Sequence, residues 1–218
     1  MNRFIEIYAG AYASGKSETA LNRALQFANK GEKITLVDLD TVEPAYTLRP
    51  IAKELTDSGV NVITQPDSFG LGEAASYITP AQVNCLTNDG NIIIDVGYGA
   101  GGLDILNIVN NIKEEKDLRA YIVINTSKFE TSSVENILEY IEQARGGWKF
   151  SGIISNTHFG DETTKEDVIR GYNIVKQASE LTHLSLRAIG VDESLDFEST
   201  YDGVEVWKYK RMMPKAFW

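Results

Sequence analysis

The 218-residue sequence has one cysteine, Cys85, and two histidines, His158 and His183. A single thiol excludes an internal disulfide and any C-x-x-C metal or redox site, and Cys85 is read as a small buried hydrophobe. The histidines stand alone, with no Cys, Asp or second His at metal-ligand spacing, so they predict no dedicated metal site. No serine sits in a G-x-S-x-G elbow, which leaves nucleophilic hydrolase chemistry without support. No apolar run approaches the length of a membrane span. Met1-Asn2-Arg3 leads straight into a predicted strand without a secretory-signal layout, and the expected location is cytoplasmic. Basic residues are in the minority, 21 Lys and Arg against 31 Asp and Glu, giving a net charge of −10. That balance disfavours nucleic acid as a principal partner. Repeats and low-complexity linkers are missing too, so one domain over residues 1–218 is expected, with a basic, aromatic tail at 205–218.

The chain is organised around Gly10-Ala11-Tyr12-Ala13-Ser14-Gly15-Lys16-Ser17, which satisfies the phosphate-loop pattern G-x-x-x-x-G-K-S/T in full. Before it, Phe4 to Tyr8 is a β-branched and aromatic run that reads as a buried strand. After it, Leu21, Ala24, Leu25 and Ala28 recur at helical spacing, which makes Ser17 to Ala20 the first turn of a helix. Glycines at 10 and 15 let successive N–H groups turn inward around a phosphate, and the helix N-terminus adds a favourable dipole. Residues 10 to 17, with Glu18 after them, are the candidate nucleotide contacts. Lys16 is placed to reach the β- and γ-phosphates and the Ser17 hydroxyl to ligate Mg²⁺.

Two further strands end in acids. Lys33 to Val37 runs into Asp38-Leu39-Asp40, and three isoleucines at 92–94 run into Asp95 and the loop Val96-Gly97-Tyr98-Gly99. Acids past the ends of buried strands fall where open α/β sheets place ligand chemistry, and a hydrophobic strand closing on Asp is the Walker B arrangement that holds Mg²⁺. The loop glycines let backbone approach a γ-phosphate. The rest alternates, with strands at 119–125, 152–156 and 186–191 and helices at 103–112, 132–144 and 164–181. The predicted architecture is therefore α/β, a three-layer, doubly wound, mostly parallel sheet with helices on both faces. Asn125 and Asn156 end two of these strands, and an amide suits a purine edge as well as a turn. The middle region, with a loop at 41–50, short elements at 51–64, an irregular stretch at 65–72 and a helix at 74–87, carries no motif. Its expected role is to cover the site or present a partner surface. The tail, with Lys208, Lys210, Arg211 and Lys215 among Trp207, Tyr209, Phe217 and Trp218, is expected to dock on the acidic body or a partner in preference to membrane.

In order, the phosphate loop, Asp38-Leu39-Asp40, Asp95 to Gly99 and the strand ending in Asn156 resemble the SIMIBI branch of phosphate-loop NTPases, most of all its MinD/ParA/CobQ group. The resemblance covers residues 3 to 195 and implies a Mg²⁺-dependent nucleotide switch whose hydrolysis is completed by a homodimer or a partner protein. It casts Asp40 as the carboxylate that positions the attacking water and Asp38 as its neighbour near the metal. Asp95 becomes the Walker B acid, Gly99 the glycine of the second switch, Asn156 the base-reading asparagine, and Val191-Asp192-Glu193 the segment over the adenine. On this carry-over Lys16, Asp38 and Asp40 are catalytic and Ser17, Asp40 and Asp95 serve the metal. One position departs: where that group has a second lysine reaching across a dimer, this chain has Ala11, and Arg49 is the candidate replacement cation. No guanine-specific N-K-x-D motif is present, so ATP is expected over GTP. Two other readings stay open, a small-molecule kinase on the same fold and an ATP-binding adaptor with little hydrolysis of its own.

Overall fold

Hydrophobic strands without alternation belong in the middle of a sheet covered on both faces. The computed structural model describes residues 3–41, 48–65 and 77–213, and its central strands have this character. All six residues of β1 (Ile5–Gly10) and of β2 (Ile34–Leu39) are buried, as are five of six in β4 (Asn91–Val96). Strands β3 (Asn61–Ile63), β5 (Leu118–Ile124), β6 (Gly152–Ser155), β7 (Ser185–Asp192), β8 (Thr200–Tyr201) and β9 (Val204–Tyr209) complete a nine-stranded sheet. Its order is β3-β2-β4-β1-β5-β6-β7-β9-β8, parallel throughout except for β8 against β9. The predicted doubly wound α/β architecture is the one observed. The first half of the chain builds outward from one side of β1 and the second half from the other, so the loop after β1 opens at the switch point where such sheets bind ligands.

Alternate side chains of each strand feed two cores. On one face Tyr8, Leu36, Ile93 and Val123 pack under helix α1 (Lys16–Ala28) through Ala20, Leu21, Ala24 and Phe27. On the other, Ile7, Val37, Ile94 and Ile122 pack under α4 (Val134–Ala144) and α5 (Lys165–Thr182). Both of these helices open on side-chain caps, Ser133 and Thr164. Cys85 is fully buried and burial raises its thiol to about 11, in keeping with a packing role.

Three stretches differ from expectation. The segment predicted as a helix over 103–112 forms 3₁₀ turns at Gly102–Ile108 and Ile112–Glu114. Its asparagines and β-branched residues are poor helix formers, Asn107 bonds back to the Asp104 carbonyl at 2.9 Å, and Asn111 takes a left-handed φ of +63°. The stretch 74–87 reads as largely helical with Pro80 breaking it or starting a piece; in its described part α3 (Pro80–Val83) does begin at that proline, but only a 3₁₀ turn at Cys85–Thr87 follows, and α2 (Ala52–Asp57) precedes it. Parts of the predicted loop (42–47), of the irregular stretch and helix (66–76) and of the tail (214–218) lie outside the described residues. Among the described residues no helix is long and apolar enough to cross a membrane.

The third difference is the tail itself. Residues 204–209 are strand β9, paired with β7, and Trp207 and Tyr209 are buried against the α1 face. Beyond β9 the backbone is strapped to α1. Asn22 donates to the Lys210 carbonyl and accepts from its amide, both at 3.0 Å, and the Glu18 carboxylate accepts from the amides of Met212 at 2.6 Å and Met213 at 3.3 Å. Asn22→Ala is expected to cost about 1–3 kcal/mol by leaving that backbone pair unmatched, lowering the melting temperature by roughly 2–10 °C in a circular-dichroism melt.

Candidate functional site

The phosphate loop joins the end of β1 to α1, and its shape follows from its glycines. A Cβ on Gly10 would strike the Ser14 hydroxyl and lie 2.6 Å from the Val123 carbonyl oxygen, so only glycine lets β5 and the loop close so tightly. Gly15, the N-cap of α1, sits at φ +85° and supplies no side-chain acceptor to the helix. The first N–H groups of α1 thus face the loop with no side-chain cap, the arrangement that draws an anion. Ala13, at φ +52°, is a non-glycine residue held in the left-handed region within the same turn.

Beside this donor cup lies a buried ion cluster. Lys16 and Asp40 form an ion pair with Nζ to Oδ2 at 3.0 Å. Burial alone would lower the Lys16 ammonium, but Asp95, Asp40 and Asp38 together raise it, so it stays charged. Asp38 and Asp95 are paired in register across β2 and β4. Asp38 is satisfied within the protein: Oδ1 accepts from the Asp40 amide at 3.0 Å and Oδ2 from the Thr64 hydroxyl at 3.1 Å, while Gln82 donates to its carbonyl. Burial and the Asp40 charge raise its carboxyl to about 6, against the pull of these bonds and of Arg49.

Asp95 is different. It has no exposed surface, and neither carboxylate oxygen has a hydrogen-bond partner of good geometry, although the Ser17 hydroxyl is close enough to act on it. Burial, opposed by Lys16 and reinforced by Asp40 and Asp38, raises its carboxyl to about 7, with the nearby Ser17 hydroxyl drawing it partly back. A buried carboxylate with two unmatched oxygens is a costly arrangement unless something cationic completes it. Among the described residues no three His, Cys, Asp or Glu side chains form a metal cage. Magnesium in nucleotide sites uses one or two carboxylates with phosphate and water, and the hard oxygen donors of Asp95 and Ser17 fit that demand.

The structure gathers Lys16, Ser17, Asp38, Asp40 and Asp95 around the loop and places the remaining predicted residues on its two sides. Ala11 is buried in the core under α4 and α5, so no side chain at that position projects from the loop. Tyr12 is exposed and its ring meets Tyr98 at 5.5 Å, edge on, linking the loop to the turn after β4. The Gly99 amide in that turn donates to the Tyr140 hydroxyl at 3.5 Å. Asn125 is spent as a brace, its amide donating to the Ala13 and His158 carbonyls and its oxygen accepting from the Ser127 and His158 amides.

On the opposite side of Lys16 from these acids, a pocket opens against Gly15 and Glu18. Asn156, Val191 and Asp192, which the family resemblance assigns to the base, all line it, and Asn156 donates to the Ser14 carbonyl at 2.8 Å, tying β6 to the loop. His158 lies here too; burial, Lys128 and Arg211 lower its imidazole to about 4, so it is neutral at physiological pH. Glu18, expected as a nucleotide contact, lines the pocket, and its oxygens hold the Met212 and Met213 amides. Tyr209 and Arg211 also line this pocket and were not foreseen. Their signal is the β-branched and aromatic content of Val204, Val206, Trp207 and Tyr209, interrupted by the charges of Glu205 and Lys208.

No protein-family model matches the sequence, and no curated protein matches it. Solved structures do. FtsY, a cell division protein of Thermotoga maritima, is 17% identical with a TM-score of 0.58, over 88% of this chain and 63% of that one. FtsY from Elizabethkingia anophelis in complex with GDP is 18% identical with a TM-score of 0.58, over 89% of this chain and 58% of that one. A nucleotide-binding protein from Archaeoglobus fulgidus in complex with ADP is 15% identical with a TM-score of 0.51, over 85% and 79%. The chain therefore spans about three fifths of the FtsY chains it matches. At these identities the likeness establishes the fold alone, the mostly parallel α/β sheet of the P-loop NTPase fold.

Proposed function

Starting from the P-loop NTPase fold, we propose that this chain binds a magnesium nucleoside triphosphate, ATP in preference to GTP, and works as a MinD/ParA-like ATPase switch on a partner protein or a second copy, in the cytoplasm. The observation that carries the reading is the buried Asp95 carboxylate, both oxygens unmatched, beside a lysine at the open N-terminus of α1. An anion drawn into the loop meets backbone N–H donors and the Lys16 ammonium, while Ser17 and Asp95 would hold Mg²⁺. When bound, that ion neutralises phosphate charge.

The phosphate competes with Asp40 for Lys16. As the ion pair yields, the Asp40 carboxylate can turn from Lys16 to orient water toward the γ-phosphate, so binding and readiness for hydrolysis are linked through one lysine. With Ala11 in the core, the charge stabilisation that a dimer-spanning lysine supplies elsewhere must come from Arg49 or from a partner. The Lys16–Asp40 pair also favours slow basal turnover, which is the adaptor reading. Transfer of phosphate to an added metabolite instead of water would support the kinase reading.

Calorimetry tests the proposal. Mg-ATP titrated into the purified chain should release heat, and Lys16→Ala should weaken binding by about 10- to 100-fold, the worth of a charge-assisted contact. Heat that is absent, or identical in the variant, would overturn it.

A further inference from the structure

Two carboxylates reach the pocket beside Gly15, and both are occupied. Glu18 holds the Met212 and Met213 amides. Asp192 accepts at Oδ1 from the Ser194 amide at 2.9 Å and the Ser194 hydroxyl at 2.6 Å, and at Oδ2 from Arg211 Nε at 2.7 Å. A second guanidinium nitrogen of Arg211 pairs with Asp161, so the arginine bridges two loops beside the pocket. Its place is fixed from both sides, because Lys210 and Met212 are strapped to Asn22 and Glu18 of α1. The two threonine hydroxyls on the same wall are spent as well. Thr157 bonds to the Thr126 amide and hydroxyl, and Thr163 to the Phe159 amide and Gly160 carbonyl.

The wall next to Asp192 thus offers a base a guanidinium, which can only donate, and no uncommitted carboxylate. Guanine presents paired donors at N1 and N2, and their natural partner is a carboxylate accepting both. Adenine presents ring-nitrogen acceptors beside a single exocyclic amine. We infer that Arg211 is the base-specificity determinant of the nucleotide site: by masking Asp192 it denies guanine its acceptor and leaves the pocket to adenine. This rests on the nucleotide-binding reading above and adds the residue that sets the choice of base.

The test is fluorescence titration of the full chain with methylanthraniloyl-ADP and methylanthraniloyl-GDP in magnesium. The wild type should prefer the adenine probe. Arg211→Ala should free Asp192 Oδ2, which Ser194 does not hold, and shift the ratio of affinities toward guanine by at least about tenfold, the worth of one charge-assisted hydrogen bond. Arg211→Gln, which preserves more of the packing, should shift it in the same direction. Adding Asp192→Asn to Arg211→Ala should cancel most of the gain, because a neutral amide cannot supply the charge that assists that bond. A wild type without base preference, or an unchanged ratio in both folded Arg211 variants, would overturn the role of Arg211 while leaving the nucleotide site standing. Absence of any Lys16-dependent binding of either probe would overturn the site and this inference together.

Discussion

Asp40→Ala is expected to cut ATP turnover by about 10²- to 10⁴-fold, the usual contribution of a positioned acid or base, while Mg-ATP still binds. The two halves of that result have one cause. In the structure Asp40 holds Lys16 at 3.0 Å, so its carboxylate competes with the ligand for the cation that phosphate needs. Removing it frees Lys16, and affinity should hold or tighten even as the group proposed to orient water is lost. Calorimetry for binding beside phosphate release for turnover separates the two. Unchanged turnover would remove Asp40 from the mechanism, and binding lost in parallel would make it a structural support of Lys16.

Asp95→Asn is expected to do two opposite things: abolish magnesium-dependent turnover, by about 10³-fold or more, and make the protein harder to unfold in EDTA. The second follows from burial. Desolvation, with Asp40 and Asp38 adding to it and Lys16 opposing, raises the Asp95 carboxyl from 3.8 to about 7. The folded state therefore keeps this proton when the unfolded state has released it. The stabilising contribution is complete below about pH 4 and is lost as the pH climbs to 7. Asparagine carries no charge to bury. At pH 8 the variant should gain about 1–2 kcal/mol, roughly 2–8 °C in melting temperature, and the advantage should shrink toward pH 4. A variant that melts lower at pH 8, or by a margin independent of pH, would show that the carboxylate is stabilised by its surroundings instead.

Much of this was readable in the chain because its signals are local. Isoleucines at 92–94, the run Ile5 to Tyr8 and the strand ending in Asn156 announce a buried parallel sheet by themselves, and the loop from Gly10 to Ser17 places its own helix start. What stayed hidden depends on partners distant in sequence. Val204 to Tyr209 is rich in β-branched and aromatic residues, but the surrounding Glu205, Lys208 and Lys210 read as a basic tail docked on the body, and only pairing with β7 makes it a strand that buries Trp207 and Tyr209. Asp38 and Asp40 look equivalent at i and i+2. The structure separates them, since Thr64 and the Asp40 amide satisfy the first and Lys16 takes the second. Nor could spacing show that Arg211 reaches Asp192 and Asp161 beside the pocket at Gly15.

The strap from Lys210 to Met213 also bears on how the protein is made. Glu18 and its amide partner at Met212 are 194 residues apart, and at ribosomal rates of about 5–20 residues per second the first waits roughly 10–40 s for the second. Throughout that interval a nascent chain has the turn from Gly10 to Ser17 but not the strand and strap that seat the helix behind it, and a polypeptide stalled before Val204 would leave the ribosome with its earliest motif unsupported.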